Sequence, residues 1–412
     1  MRTNRGVRRA SVRGAVRPLA WLIAVGLGSS IQGADDENAT AAPRVLEHVV
    51  VYQEPGRFAG WPANHGMWSW GNEVLVGFSR GFYKDLGDRH HIDREKPEEH
   101  LFARSLDGGK TWAVEVPQPP GVLVGTPGMR HGVIPPDVPK KPLTDLTEPI
   151  DFTHPDFAMT LRMADANGGV SWFAYSYDRG RTWRGPHPLP LFGQPGVMAR
   201  TDSIINGPRD CHIFATASKQ SNGREGRPFC ARTRDGGLTW EFLSFIGPEP
   251  DDGYAIMPGT VRVGPTDLVT TIRVRDSERS WIDAYASLDD GQSWTYLGEP
   301  EPSLGAGNPP SLVRLPDGRL ALITGHRAEP YSIRARLSQD NGRTWSDPIT
   351  LRDDGGGTDI GYVRSVVRPD GTILSVYYYH DQTGPDRYLA GTIWDPGKPE
   401  DSPLINERAG RR

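Results

Sequence analysis

The sequence predicts an all-β fold, a ring of short-stranded blades, and three observations carry that prediction. Gly and Pro fill about a fifth of the chain, 49 and 37 of 412 residues, well above average usage. So many helix breakers exclude a helical bundle or solenoid. Aromatic residues at 9%, including 12 Trp, supply the apolar surface that a disordered chain lacks. Finally, one motif returns along the chain, and a repeat of roughly 50 residues holding several short strands marks a propeller or comparable array.

The motif is a Ser or Thr, an Asp two residues on, a Gly, a Thr or Ser, and a Trp. It occupies Ser105 to Trp112, Ser176 to Trp183, Thr233 to Trp240, Ser287 to Trp294 and Ser338 to Trp345. Each part has a turn-making reason. The carboxylates of Asp107, Asp178, Asp235, Asp289 and Asp340 can accept bonds from backbone N–H groups just downstream. The Gly supplies a positive φ, the hydroxyl closes the loop from the other side, and the Trp buries apolar surface beside the turn. These Asp residues are hairpin staples, not catalytic acids.

Strand-like runs fill the space between the motifs. The fifth unit has runs beginning at Asn308, Arg319, Ser332 and Trp345, separated by Pro-Asp-Gly and Asp-Asn-Gly turns. A sixth set, Tyr362 to Val367, Thr372 to Tyr378 and Arg387 to Trp394, has no motif and only three strands. The apolar run Val45 to Gln53 is expected to add the fourth. That would close the ring and remove its free edges. The expected architecture is a six-bladed β-propeller of four-stranded antiparallel blades over residues 42–396, followed by a polar tail, 397–412. The stretch Pro117 to Pro149 has little strand character and reads as an insertion near a rim.

The first 33 residues have the layout of a secretory signal peptide: six arginines, an apolar run from Leu19 to Leu27, then small residues before Gly33 and Ala34. An uncleaved anchor is the rival reading; export to the periplasm or outside the cell is the expectation. The whole chain has 47 basic and 51 acidic residues, and without those six arginines the balance is 41 against 51. An acidic protein without Lys/Arg runs is a poor nucleic-acid binder, and no later apolar run is long enough to span a membrane. Cys211 and Cys230 flank a Gly-rich turn, so a cross-strand disulfide and two buried thiols both fit; two cysteines make no metal site.

The repeated turns resemble the Asp boxes of the sialidase-like (BNR-repeat) glycoside hydrolase superfamily, and the resemblance covers the chain after its leader. It implies an exported exo-α-sialidase-type hydrolase without a cofactor, removing a terminal acidic sugar from glycans. In that family three arginines hold the sugar carboxylate, for which the Arg fork is suited. A Tyr attacks the anomeric carbon, a Glu deprotonates it, and an Asp is the acid/base. The nucleophile's place, at the start of the last blade's inner strand, holds Tyr362. The third arginine maps to Arg327, beside His326. The first maps to Arg57, and the second to Arg273, with Arg275 and Arg279 as competitors. The acid maps to Asp85, with Asp88 and Asp93 as rivals. Where the family has its Glu, this sequence has Tyr254 to Thr260, with Met257 and Pro258 and no acid.

A second set of residues suggests a different pocket. His65 lies between Trp61 and Trp68, His90 and His91 share a loop with Asp93, and His154 and His326 stand near blade mouths. Such a cluster suits general acid/base work, and no tight metal-ligand spacing is visible. The alternatives are therefore a propeller glycosidase or polysaccharide lyase on another acidic glycan, or a non-catalytic glycan-binding propeller. In the last case Trp61, Trp68, Tyr83 and Tyr377 to Tyr379 would stack on sugar rings.

Overall fold

In a computed structural model, residues 42–87, 89–124 and 133–399 are described. The expected leader and most of the polar tail lie outside these residues. The described chain forms six antiparallel sheets arranged as the blades of a propeller, with one helical turn, Pro62–His65. No described helix is long and apolar enough to cross a membrane.

Blade four shows the basic unit: Tyr254–Arg262, Leu268–Arg275, Ser280–Ser287 and Thr295–Glu301, each paired to the next. Blade five repeats it with Ser311–Arg314, Leu320–His326, Ser332–Ser338 and Ile349–Arg352. In blades one and three the innermost strand is split. Arg57–Gly60 and Met67–Trp70 both pair with Glu73–Phe82, and Val197–Met198 and Ser203–Gly207 both pair with Asp210–Ser218. The ring closes as the sequence predicts. Arg44–Tyr52 lies antiparallel to Tyr388–Asp395, completing the blade that Gly361–Val367 and Ile373–Tyr379 begin.

Blade two departs from the four-strand pattern, with only Ala158–Met163, Ser171–Ser176 and Arg184–Pro188. Its Asp box joins the last two of these, so the missing strand is the innermost one. The preceding stretch carries Pro135, Pro136, Pro139, Pro142 and Pro149, each of which removes a ladder donor. The helical turn Pro62–His65 and the strand Val197–Met198 lie against Ala158–Met163 instead.

Each blade interface has its own apolar core, and the Asp boxes stitch five of the six. Trp112 packs into the cluster between blades six and one, Trp183 between one and two, and Trp240 between two and three. Trp294 and Trp345 do the same for the next two interfaces. Within a box the bonding is uniform. In blade five the Ser338 hydroxyl donates to Asp340 (2.9 Å) and accepts the Gly342 N–H (2.8 Å). Asp340 also accepts the Thr344 N–H (2.9 Å) and hydroxyl (2.6 Å). Gly342 has φ +85°, and a Cβ there would lie 3.2 Å from Val269 of blade four. At Gly109 the same atom would lie 2.4 Å from Leu374 of blade six.

The two cysteines are unpaired and buried. Phe214 stands opposite Cys230, and Thr233 opposite Cys211. The thiols therefore emerge on opposite faces of their sheet and belong to different interface cores, with burial pushing both thiols up. A thiol reagent should find almost nothing in the native protein and two groups per chain after unfolding in urea.

Burial alone would push the Asp340 carboxyl up, but bonds from Thr344, Ser338 and the Arg343 N–H hold it below its ordinary value. Asp340→Ala should lower stability by about 1–2 kcal/mol in urea titrations at neutral pH. A lowered folded-state pKa stabilises above the ordinary Asp value and is lost as pH falls through the folded one. The deficit of the variant should therefore narrow in acid.

Candidate functional site

Tyr362 is the second residue of the last blade's inner strand, and its backbone is strained. It has φ +52° and follows Gly361 at φ +104°. Strain of this kind persists only where surrounding bonds enforce it. Here the fully buried Asn308 enforces it, accepting the Tyr362 N–H (2.6 Å) and donating to the Ile360 carbonyl (2.9 Å). A Cβ at Gly361 would fall 2.2 Å from the Asn308 amide, so only glycine fits. The strand register jumps between Gly361 and Arg364, which frees the Tyr362 side chain from the ladder alternation.

Three arginines surround the phenol. Arg273 donates to it at 3.4 Å. The Arg327 guanidinium stands 5.4 Å from its ring centre, held by the Ile360 carbonyl (2.9 Å) and the Tyr378 hydroxyl (2.5 Å). Arg200 carries a bidentate pair with Glu225. Burial by itself would push the Tyr362 hydroxyl up, yet the charges of Arg273, Arg327 and Arg200 bring it below the ordinary tyrosine value. Burial instead pushes Tyr377, Tyr378 and Tyr379 up. Arg273 and Arg327 are each 7% exposed, and neither has a carboxylate partner among the described residues. A cavity of about 480 Å³ is lined by Tyr362, Arg273, Arg200, Tyr254 and Asn167, among others. Of the two guanidinium groups without carboxylate partners, Arg273 lines this cavity, which Glu225, Asp251 and Asp252 also line, and Arg327 lies over the Tyr362 ring. A buried guanidinium without a carboxylate favours an anion.

The acid expected beside Tyr362 is replaced by a thioether. Met257 has φ +57°, at a register jump in the inner strand of blade four, and packs in one cluster with Ile256, Ala63 and Tyr362. Behind Arg327 runs a chain of bonds that the sequence did not reveal. Tyr378 donates to Asp359 (2.7 Å), which also receives His90 (2.7 Å), the His91 N–H (3.0 Å) and Arg387 (3.2 Å). Burial opposes ionisation of Asp359, but His90, the Arg327 charge and the His91 N–H hold its carboxyl well below the usual range. The His90 ring meets Tyr362 edge-on at 5.9 Å and Trp61 at 5.3 Å.

Of the residues singled out in the sequence, Tyr362, Arg273 and Arg327 come together. Arg57 does not join them: its guanidinium pairs with Glu99 (3.0 Å) and lies 4.0 Å over the Phe82 ring. Arg200 stands at the phenol instead. Asp85 is 75% exposed in its side chain, accepts the Gly87 N–H and faces His91 at 3.4 Å. Asp93 sits between Lys84 and Lys96, and Asp88 lies outside the described residues. Arg275 reaches the Ala306 carbonyl (3.5 Å), and Arg279 pairs with Glu299. His65 is buried, between Ser79 (3.1 Å) and Arg162 (2.7 Å), and burial drives it to the neutral form. His326 is tied to the Ala328 carbonyl (2.9 Å), and burial lowers it too. Among the aromatics, Trp61, Tyr377, Tyr378 and Tyr379 are core residues. Trp68 packs on Phe102 and Trp183, and Tyr83 stacks on His91. Among the described residues, no three His, Cys, Asp or Glu groups are arranged to hold a metal.

Tyr362 should release its proton at lower pH than the buried Tyr377 to Tyr379. Ultraviolet titration of phenolate should lose its earliest step in Tyr362→Phe, and that step should move to higher pH in Arg273→Ala. Identical titrations for wild type and Tyr362→Phe would contradict the arginine effect.

A family model described as a BNR repeat-like domain matches residues 145–375, more than half of the chain. No curated protein sequence matches it. Among solved structures, a protein of unknown function from Dyadobacter fermentans is 21% identical with TM-score 0.64, over 86% of this chain and 99% of that one. The NanB sialidase from Streptococcus pneumoniae is 11% identical with TM-score 0.54, over 84% and 70%. An α-L-arabinanase from Penicillium chrysogenum, complexed with arabinobiose, is 14% identical with TM-score 0.51, over 85% and 98%. At such identities the likeness is one of fold. The Asp boxes, the six-bladed ring and the family match agree: the chain belongs to the BNR repeat-like family.

Proposed function

We propose that the protein is a glycoside hydrolase of the exo-α-sialidase type, removing a terminal sugar that carries a carboxylate. The observation that carries this reading is the pair of buried guanidinium groups without carboxylate partners, Arg273 at the Tyr362 hydroxyl and Arg327 over its ring. They would bind the sugar carboxylate and, in the same position, stabilise the phenolate. That double use explains how Tyr362 can act beside Met257 instead of Glu. A base is one way to activate a phenol, and a lowered pKa is another. A tyrosine also avoids the repulsion that a carboxylate nucleophile would feel from the sugar acid. The NanB sialidase and arabinanase neighbours support glycan chemistry on this fold, while the charge around Tyr362 favours the acidic sugar over a neutral arabinoside.

In this mechanism the ionised Tyr362 attacks the anomeric carbon as the glycosidic oxygen leaves, and water later displaces it. The His90–Asp359 pair and Tyr378 keep Arg327 and the ring of Tyr362 in place. The purified protein should release the fluorophore from a fluorogenic α-sialoside. Arg327→Ala and Arg273→Ala should each raise KM roughly 10- to 100-fold, the loss of charged hydrogen bonds of about 1.5–3 kcal/mol. Tyr362→Phe should lower kcat by at least ~10²-fold. Release of an arabinofuranoside in place of the sialoside would overturn the acidic-sugar reading.

A further inference from the structure

The reading above leaves the leaving oxygen without a proton source, because Asp85 is exposed and bound within its own loop. Asp251 and Asp252 line the phenol cavity but are exposed, and most other carboxylates at this end of the ring are already engaged. Glu99 takes Arg57 and Arg80, Glu225 takes Arg200, Asp93 lies between two lysines, and Asp359 takes His90, Tyr378 and Arg387. Asp202, whose carboxyl burial also pushes up to about 7, accepts the Thr260 hydroxyl and lies with Arg364 in cavities of about 10 and 280 Å³ that Tyr362 does not line. Glu98 differs from all of them. It is 3% exposed, and neither of its carboxyl oxygens has a hydrogen-bond partner.

Glu98 faces a small cavity of about 40 Å³ whose wall includes Trp61, Asn64, Ser79, His100 and Arg200. That space holds a water molecule or one hydroxyl group. It adjoins the phenol site on two sides. Arg200 lines both cavities, and Trp61 touches His90, which touches Tyr362. Burial pushes the Glu98 carboxyl up to about 7, only partly offset by Ser79 and Arg94. A carboxyl in an aromatic, desolvated pocket keeps its proton near neutral pH, as a general acid requires. His90 is the rival, but burial lowers it despite Asp359, leaving it a neutral imidazole.

We infer that Glu98 is the acid/base catalyst of the reaction at Tyr362, an assignment that rests on the glycosidase reading. In the first step the Tyr362 phenolate bonds to the anomeric carbon while the bond to the leaving oxygen breaks. The electron pair goes to that oxygen, which takes the Glu98 proton and departs as a neutral alcohol. In the second step the Glu98 carboxylate takes a proton from water, whose oxygen bonds to the anomeric carbon. The Tyr362 phenolate is released, and both groups return to their starting states.

The test compares two substrates: an aryl α-sialoside, whose leaving group needs little protonation, and an alkyl α-sialoside, whose leaving group needs it fully. Glu98→Gln should lose at least ~10²-fold on the alkyl substrate and much less on the aryl one. Glu98→Asp, which withdraws the same carboxyl, should show a milder version of that selectivity. The break near pH 7 expected in wild-type kcat/KM should vanish in Glu98→Gln. Equal losses on both substrates, an unchanged pH break, or leaving-group selectivity in His90→Asn alone would overturn the assignment. Wild-type protein inert on both sialosides would overturn the sialidase reading as well. Wild-type activity untouched by Glu98→Gln would overturn only the role of Glu98.

Discussion

The fold depends on the close approach of each Asp-box turn to the blade before it. In the box the carboxylate, hydroxyl and left-handed glycine together bring the backbone so near the neighbouring blade that no side chain fits between them. Gly109 against Leu374, Gly180 against Leu75 and Gly291 against Cys230 are instances in three different interfaces. The Trp then fills the rest of the seam. A propeller has no single central core, so its rigidity is the sum of such seams. The positions of Tyr362, Arg273 and Arg327, drawn from blades six, four and five, are only as well defined as these joints.

Within that frame the site is a problem of charge. Arg273 and Arg327 are buried without carboxylates, a costly arrangement that the surrounding tyrosines, backbone carbonyls and the distant Asp359 make tolerable. The same uncompensated charge makes the Tyr362 phenol more acidic. Glu98 lies across Trp61 in the opposite environment, a carboxyl with no cation bonded to it. Two neighbouring pockets thus shift their groups in opposite directions, the phenol below its ordinary value and the carboxyl above its own.

Much of this was legible in the sequence, and the division has a physical cause. The Asp boxes and the closing strand are local patterns, so spacing reveals them. Tyr362, Arg273 and Arg327 follow from their places within blades. Arg57 has a comparable place, but Glu99 on the same sheet captures it. Arg200, Asp359 and Glu98 carry no local signature: Asp359 meets His90 across 269 residues, and Glu98 matters for the partners it lacks. The short second blade is hidden for a similar reason, because prolines announce a loop but not which strand it replaces.

The closing strand has a consequence for the order of events during synthesis. Arg44–Tyr52 is among the earliest described segments to be made, yet among the described residues its one strand partner is Tyr388–Asp395. Domains fold largely as the chain emerges, but this ring stays open until nearly all of it exists. Meanwhile the early strand remains an exposed edge able to pair with other chains. Its exposed positions are mixed: Arg44, Glu47 and His48 stand among the apolar Val45, Leu46 and Val50, while Val49 and Val51 are buried. The charges that decorate the finished propeller's rim also guard the strand while it waits for its partner.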